Sequence, residues 1–151
     1  MQLAGQEMNF MSDRYFIDTN IIVYAHDNKY PNKQVKAQEI IFNGMRGSNG
    51  VISAQVLSEF FVTVTKKNKQ NYSIAAAKHE IMLLSYLHVL DIDSDLVIRA
   101  VGVKDLYQLS YWDSLILAAA ERSKCSILYS EDLSHGQKYG GVHCINPFTD
   151  N

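Results

Sequence analysis

The chain has few of the residues that interrupt regular structure or cross-link it. Its 151 residues include only two prolines and eight glycines, which leaves little room for linkers or disorder. The two cysteines, Cys125 and Cys144, lie beside or within predicted strands, so we expect buried, reduced thiols rather than a disulfide framework. The length of 151 residues indicates one domain with a sizeable core.

Long apolar runs and an excess of positive charge are also missing. No stretch approaches the length of a membrane span, and residues 1–12 lack the basic and apolar regions of a signal peptide, so the cytoplasm is the expected location. The formal net charge of −2 argues against a general basic coat for nucleic acid. We expect a flexible N-terminal extension over residues 1–12 and a single domain over residues 13–151.

Short apolar runs alternate with longer segments of helical periodicity. We predict helices over residues 19–26, 33–45, 54–67, 73–87, 95–109 and 113–124, with Thr19 or Asn20 capping the first of them. We predict strands over residues 15–17, 51–52, 89–92, 126–129 and 142–145. Strands that alternate with helices favour right-handed βαβ units, so the fold class is α/β with a mostly parallel central sheet.

Four acidic residues stand where such a sheet would bring separate segments together. Asp18 and Asp132 directly follow strand-like runs, Asp113 opens an alanine-rich helix, and Glu59 lies in the second turn of the third helix. Ligands of open α/β sheets bind beyond the carboxyl ends of the strands. Asp18, Asp113 and Asp132 map to that edge if the strands are parallel, and the helix of Glu59 leaves the same edge. Converging carboxylates repel one another unless a cation lies between them.

The sequence therefore predicts a divalent-metal site. Oxygen ligands favour Mg²⁺ or Mn²⁺ over zinc, and a metal held by carboxylates supports phosphoryl chemistry. Thr19, Asn20 and Ser130 are placed to hydrogen-bond the carboxylates or their waters, although helix capping is an equal alternative for Thr19 and Asn20. Taken singly, Asp18 or Asp113 could also be no more than a helix N-cap.

Four short motifs resemble, in their order and spacing, those of PIN-domain nucleases, in particular the VapC-like toxin ribonucleases. The motifs are Tyr15-Phe16-Ile17-Asp18-Thr19-Asn20, Leu57-Ser58-Glu59-Phe60, Tyr111-Trp112-Asp113-Ser114 and Leu128-Tyr129-Ser130-Glu131-Asp132. The resemblance covers nearly all of the chain from residue 15 to residue 148. It implies a three-layer α/β/α sandwich in which the four acids bind Mg²⁺ or Mn²⁺ and catalyse cleavage of single-stranded RNA.

The fourth motif departs from the pattern of many relatives. They carry Thr-x-Asp-x-x-Phe, whereas this chain has Ser130-Glu131-Asp132-Leu133-Ser134-His135. Glu131 is therefore a second candidate ligand beside Asp132.

Partners are expected on two grounds. The third helix is apolar on more than one face, and the first adds Ile21, Ile22, Val23 and Tyr24, so we expect a homodimer built partly on these helices. Coverage of both surfaces by the fourth and fifth helices of the same chain is the alternative. The resemblance also implies an antitoxin protein that binds an apolar groove and blocks the acidic site.

Other functions stay open at this point. The chain could be a stand-alone RNA-processing nuclease, or a non-catalytic RNA-binding module of the same fold. A phosphatase with an aspartyl nucleophile would need a second acid at position 20, where the chain has Asn20.

Several residues near the motifs are candidates for contact with nucleic acid. Lys66, Lys67 and Lys69 could meet phosphates, although a solvated run of charge is the commoner meaning. Tyr111 and Trp112 could stack on a base, but we expect Trp112 to pack against the sheet.

Overall fold

The computed structural model describes residues 13–149. The extension expected over residues 1–12 lies outside the described residues. Within the described range, none of the helices has the length and apolarity that a bilayer crossing requires.

The described part of the chain contains six helices and six strands. The helices are α1 (Thr19–Tyr24), α2 (Pro31–Arg46), α3 (Ala54–Val64), α4 (Ile74–Leu84), α5 (Ser94–Tyr107) and α6 (Tyr111–Arg122). The strands are β1 (Arg14–Ile17), β2 (Gly50–Ser53), β3 (His88–Leu90), β4 (Cys125–Tyr129), β5 (Lys138–Tyr139) and β6 (Val142–Ile145). Every predicted helix and strand is present, with its ends moved by a few residues.

All six strands belong to one sheet in the order β3-β2-β1-β4-β6-β5. The pairings are parallel except for β5, which runs antiparallel to β6. The predicted three-layer sandwich with a mostly parallel sheet is therefore confirmed. The sequence did not predict β5, because a strand of two residues is too short to show alternation.

The core lies on both faces of the central strands. Phe16 and Ile17 of β1 are fully buried, as are Val51 and Ile52 of β2. Neighbouring residues of a strand point to opposite faces, so both faces must be covered, which is typical of a parallel sheet between helices. Helix α6, buried continuously over residues 114–120, packs against β2, β4 and β6.

Two glycines let α2 approach the sheet closely. A Cβ atom on Gly44 would lie 2.9 Å from both the Gly50 Cα atom and the Tyr15 hydroxyl oxygen. The Tyr15 hydroxyl in turn donates a hydrogen bond of 2.7 Å to the Ile40 carbonyl. Any side chain at position 44 would push α2 away from the sheet.

Packing within the chain accounts for most of the apolar surface of α1 and α3. Helix α3 contacts α1 on one side and α4 on another. Val56, Phe60 and Val64 of α3 are fully buried, whereas Val62 is 55% exposed. Coverage within one chain thus holds for most of α3, with α1 rather than the expected fifth helix as the main partner beside α4. The predicted homodimer therefore has a smaller apolar face available than the sequence suggested.

Candidate active site

The four acids come from four separate segments and line one pocket. Asp18 follows β1, Glu59 lies on α3, Asp113 lies in the first turn of α6, and Asp132 follows β4. The pocket has a volume of about 380 Å³ and lies beyond the carboxyl ends of β1 and β4. This is the edge at which open α/β sheets bind their ligands.

Asp18 lies at the bottom of this pocket and is only 4% exposed. Its Oδ1 accepts a hydrogen bond of 2.7 Å from the Thr19 backbone N–H, and its Oδ2 accepts one of 2.7 Å from the Ser130 hydroxyl. The pKa of Asp18 is raised to about 7, chiefly by burial; the hydrogen bonds from Ser130 and Thr19 oppose the rise, and the charges of Asp132 and Glu59 add to it. The ionised form of Asp18 is therefore energetically unfavourable unless a cation lies nearby.

The buried hydroxyl of Ser130 joins two of the acidic segments. It donates to Asp18 and accepts from the backbone N–H groups of Asp132, at 3.1 Å, and of Leu133, at 3.4 Å. The side-chain Oδ1 of Asn20 accepts a further hydrogen bond, of 3.2 Å, from the Glu131 N–H. The turn that carries Asp132 is therefore fixed to the segment that carries Asp18.

Thr19 connects α1 to α3, because its hydroxyl donates a hydrogen bond of 2.8 Å to Glu59 Oε1. The prediction that Thr19 or Asn20 caps α1 is wrong, and the alternative that Asp18 is the N-cap is confirmed, since Asp18 accepts from the Thr19 N–H. A cap residue precedes the first helical residue, so α1 begins at Thr19, one or two positions earlier than a cap at Thr19 or Asn20 would place its start. Both side chains are consequently available for contacts with the other acidic segments.

The start of α6 also differs from the prediction. The helix begins at Tyr111 rather than at Asp113, because the Ser110 hydroxyl accepts a hydrogen bond of 3.1 Å from the Asp113 N–H and caps it. Asp113 therefore is not the N-cap and faces the pocket. Burial raises the pKa of Asp113, the interaction with Ser110 lowers it, and the charge of Asp132 raises it again.

The two adjacent acids of the fourth motif have different surroundings. Asp132 lines the pocket. Glu131 instead forms an ion pair of 2.6 Å with Lys33 of α2 and accepts a hydrogen bond of 2.7 Å from the Tyr24 hydroxyl. Glu131 thus joins α1 and α2 to the turn, which leaves Asp132 as the acid of this motif that faces the pocket.

Comparison with known proteins identifies the family. The model of the PIN domain family matches residues 15–139, which is most of the chain. The chain belongs to the PIN domain family. PIN domains are nucleases, so the resemblance drawn from the four motifs is confirmed at the level of family and broad class. No curated protein matches the chain.

Solved structures share the fold of this PIN domain at low sequence identity. A toxin–antitoxin complex from Klebsiella pneumoniae is 20% identical, with a TM-score of 0.63 over 89% of this chain and 98% of that one. A DNA-bound VapBC complex from Salmonella typhimurium is 19% identical, with a TM-score of 0.60 over 87% and 96%. VapC20 from Mycobacterium tuberculosis, a sarcin–ricin loop cleaving toxin, is 19% identical, with a TM-score of 0.56 over 78% and 89%.

The pocket of this PIN domain also contains residues for which the sequence gave little signal. Asp27, Tyr30, Gln55, Lys69 and Gln70 line it, and they come from the turns after α1 and α3 and from the first turn of α3. Their approach depends on long-range packing rather than on any local pattern. Of these residues, only Lys69 was named in the sequence analysis, as a candidate for contact with phosphate.

Trp112 contradicts its predicted position. It was expected to pack against the sheet, but it is 61% exposed and lines the acidic pocket. The physical reason is that the buried part of α6 begins only at Ser114. The first turn of the helix, with Trp112 and Asp113, lies outside that buried part.

The donor set of the pocket fits a hard divalent cation, since the four predicted acids and Asp27 all offer carboxylate oxygens. Among residues 13–149, however, no group of three or more acidic, histidine or cysteine side chains is arranged to enclose an ion. Mg²⁺ in nucleotide-processing sites usually uses one or two carboxylates and takes its other ligands from water and substrate phosphates. The pocket therefore fits an ion bound in that open manner rather than one enclosed by protein.

Proposed function

We propose that this PIN domain is a metal-dependent endoribonuclease that cleaves single-stranded RNA in the cytoplasm with Mg²⁺ or Mn²⁺, and that it is the toxin of a toxin–antitoxin pair. The observation that carries the proposal is the convergence of Asp18, Glu59, Asp113 and Asp132 on one pocket. The toxin role draws support from the shared fold of the toxin–antitoxin complexes and of VapC20.

Different residues of the pocket would hold the cation and accept the proton. Asp18, with Asp132 beside it, would hold the cation, because Ser130 and the Thr19 N–H fix both oxygens of Asp18 and leave their other lone pairs available. When bound, a divalent cation lowers the pKa of a water molecule and offsets charge on the phosphodiester. Glu59, oriented by Thr19, would accept a proton from the attacking water.

The proposal predicts the ends of the cleaved strands. We expect a 5′-phosphate and a 3′-hydroxyl, because among the described residues that line the pocket there is no histidine to activate the 2′-hydroxyl. Mass spectrometry of a defined oligonucleotide after partial digestion would identify the ends. A 2′,3′-cyclic phosphate on the product would contradict this chemistry.

A direct assay tests the proposed reaction and its substrate. Labelled single-stranded RNA, single-stranded DNA, tRNA and a small phosphomonoester are incubated with the protein in chelator, and then with added Mg²⁺ or Mn²⁺. We expect the RNA substrates alone to be cleaved, and only after a metal is added. Equal cleavage in chelator, or hydrolysis of the phosphomonoester only, would refute the proposal.

The proposed toxin role predicts a cognate inhibitor. Expression of the PIN domain alone should arrest growth, and co-expression with the product of a neighbouring small gene should restore growth and yield a co-purified complex. A stand-alone RNA-processing nuclease is the second candidate. It would be favoured if cleavage were present while expression was harmless and no partner co-purified.

The predicted homodimer is proposed on the apolar residues of α3 that remain uncovered, including Val62. We expect sedimentation velocity at micromolar concentration to give about twice the mass of the 17.1 kDa chain. A Val62→Asp variant should shift the sample toward the monomer, because it places a charge in an apolar interface. A wild-type protein that sediments as a monomer at these concentrations would show this prediction to be wrong.

A further inference from the structure

The only tryptophan of the chain stands beside the acidic pocket with most of its surface exposed. Trp112 is 61% exposed and precedes Asp113 in α6. Its ring packs edge to face against Tyr111, with centroids 5.1 Å apart, and its backbone carbonyl accepts a hydrogen bond of 3.2 Å from Gln55 Nε2. A large aromatic side chain that is both exposed and held by its neighbours is available for contact with a ligand.

The pocket also has a cation on its wall. Lys69 is the single positively charged residue among the described residues that line it, and it is exposed. It takes part in none of the ion pairs found within residues 13–149. Lys69 therefore supplies a free positive charge to a pocket that is otherwise acidic.

We propose that Trp112 and Lys69 form a binding track for single-stranded nucleic acid across the acidic pocket. A base next to the cleaved bond stacks on the Trp112 ring, and a flanking phosphate pairs with Lys69. The proposal rests on the proposed nuclease function and names the contacts that hold its substrate. Stacking on an aromatic ring accepts any base, so this contact supplies affinity for single strands rather than sequence preference.

A protein partner is the competing explanation for the exposed ring. Trp112 also borders a second, mainly apolar groove of about 650 Å³ that includes Val62, Val97 and Leu115. We favour nucleic acid, because the same ring lines the acidic pocket together with Lys69 and the four acids.

The single tryptophan makes the stacking contact directly measurable. The intrinsic fluorescence of the Asp18→Asn variant, which keeps RNA intact, is titrated with a short single-stranded RNA in Mg²⁺. We expect saturable quenching, since a stacked base quenches the indole. An oligonucleotide with the same phosphates but no bases serves as the control and should bind weakly without quenching.

Substitutions measure what each contact contributes. In the Asp18→Asn background, Trp112→Ala should weaken binding of a fluorescein-labelled RNA by about 5- to 100-fold, as expected for loss of one stacked base. Trp112→Phe should stay within a few-fold of the parent. Tyr86→Ala, which removes a 79% exposed aromatic residue that does not line the pocket, should have no effect.

Lys69 is tested through the dependence of binding on salt. Lys69→Ala should reduce the slope of the logarithm of affinity against the logarithm of salt concentration by about 0.7, the value for one phosphate contact on a single strand. Lys78→Ala, on the exposed side of α4, is the matched control and should leave the slope unchanged.

The outcomes separate this inference from the proposed function. If the wild-type protein cleaves RNA but RNA does not quench Trp112, or Trp112→Ala binds RNA normally, the track is wrong and the nuclease proposal stands. If RNA quenches Trp112 and the wild-type protein does not cleave, the track stands and the nuclease proposal fails. If the Trp112 fluorescence changes with protein concentration but does not respond to RNA, the ring belongs to a protein interface. That result would contradict the proposed binding track.

Discussion

Asp18→Asn is expected to raise the melting temperature of the metal-free protein at pH 8 while it removes RNA cleavage. The wild-type carboxylate is 4% exposed and stands near Asp132 and Glu59, so its ionised form is unfavourable without a cation. Asparagine removes that charge and can still accept the hydrogen bond from the Thr19 N–H. A residue whose main role was structural would lose stability on the same substitution.

The pH dependence of this effect follows from the pKa of Asp18. The pKa rises from 3.8 in the unfolded chain to about 7 in the folded protein, so between these values the folded state binds a proton that the unfolded state has released. Folding stability contributed by this group is present at low pH and is lost as the pH rises toward 7. Asp113, whose pKa is also raised, acts in the same direction.

The expected size of the effect can be bounded. The pKa change of Asp18 corresponds to at most about 4 kcal/mol at pH 8, and we expect a net gain of about 1–3 kcal/mol because the protein relaxes around the charge. For a chain of this size that is a rise of about 3–10 °C in the melting temperature.

Thermal unfolding in chelator at pH 5 and pH 8 would measure this gain. The variant should be clearly more stable than wild type at pH 8 and show only about a third of that gain at pH 5, because pH 5 lies about a third of the way from the unfolded pKa of 3.8 to the folded pKa of about 7. Asp105→Asn, at an exposed position of α5, is the control and should have the melting temperature of wild type at both pH values. Added Mg²⁺ should then raise the melting temperature of wild type more than that of Asp18→Asn, because ligands stabilise the state that binds them. A variant that is less stable than wild type at pH 8 would contradict this account.

Asp132→Asn and Glu131→Gln are expected to differ sharply although the two residues are adjacent. Asp132 lines the pocket, so its substitution should lower kcat/KM by about 10²- to 10⁴-fold, the range for loss of a positioned catalytic group. Glu131 faces Lys33 and Tyr24 instead, so its substitution should leave kcat/KM within a few-fold of wild type. Weakening the partly exposed ion pair with Lys33 should cost about 1 kcal/mol or less.

Steady-state cleavage and thermal unfolding of the same two variants would test this difference. The Glu131→Gln protein serves as the matched control, because it removes one negative charge from the same turn. Equal losses of activity in both variants would mean that Glu131 also serves the site. Full activity in Asp132→Asn would remove Asp132 from it.

The elements of the fold could be predicted because their signals are local. Apolar runs such as residues 15–17 and 126–129 define the strands, and helical periodicity defines the segments between them. The alternation of these elements then fixes a mostly parallel sheet. The edge where Asp18 and Asp132 meet follows from that topology, and so the candidate acids could be named from the sequence.

Other features depend on long-range contacts that no local pattern encodes. The cap of α1 is Asp18, which the sequence offered only as an alternative, and the cap Ser110 starts α6 two residues before its predicted start, because apolar periodicity does not reveal which side chain accepts the first N–H. The pairing of Glu131 with Lys33 spans 98 positions. The exposure of Trp112 depends on where α6 leaves the core, which the tertiary structure alone determines.

The most direct test of the four-acid pocket as the active site is cleavage of a labelled single-stranded RNA by wild type, Asp18→Asn and Asp105→Asn, in Mg²⁺ and in chelator. We expect wild type and Asp105→Asn to cleave at the same rate in Mg²⁺ and neither to cleave in chelator. We expect no cleavage by Asp18→Asn in either condition, although that protein is folded and at least as stable as wild type. Metal-dependent cleavage by Asp18→Asn at the wild-type rate would show that the four-acid pocket is not the active site.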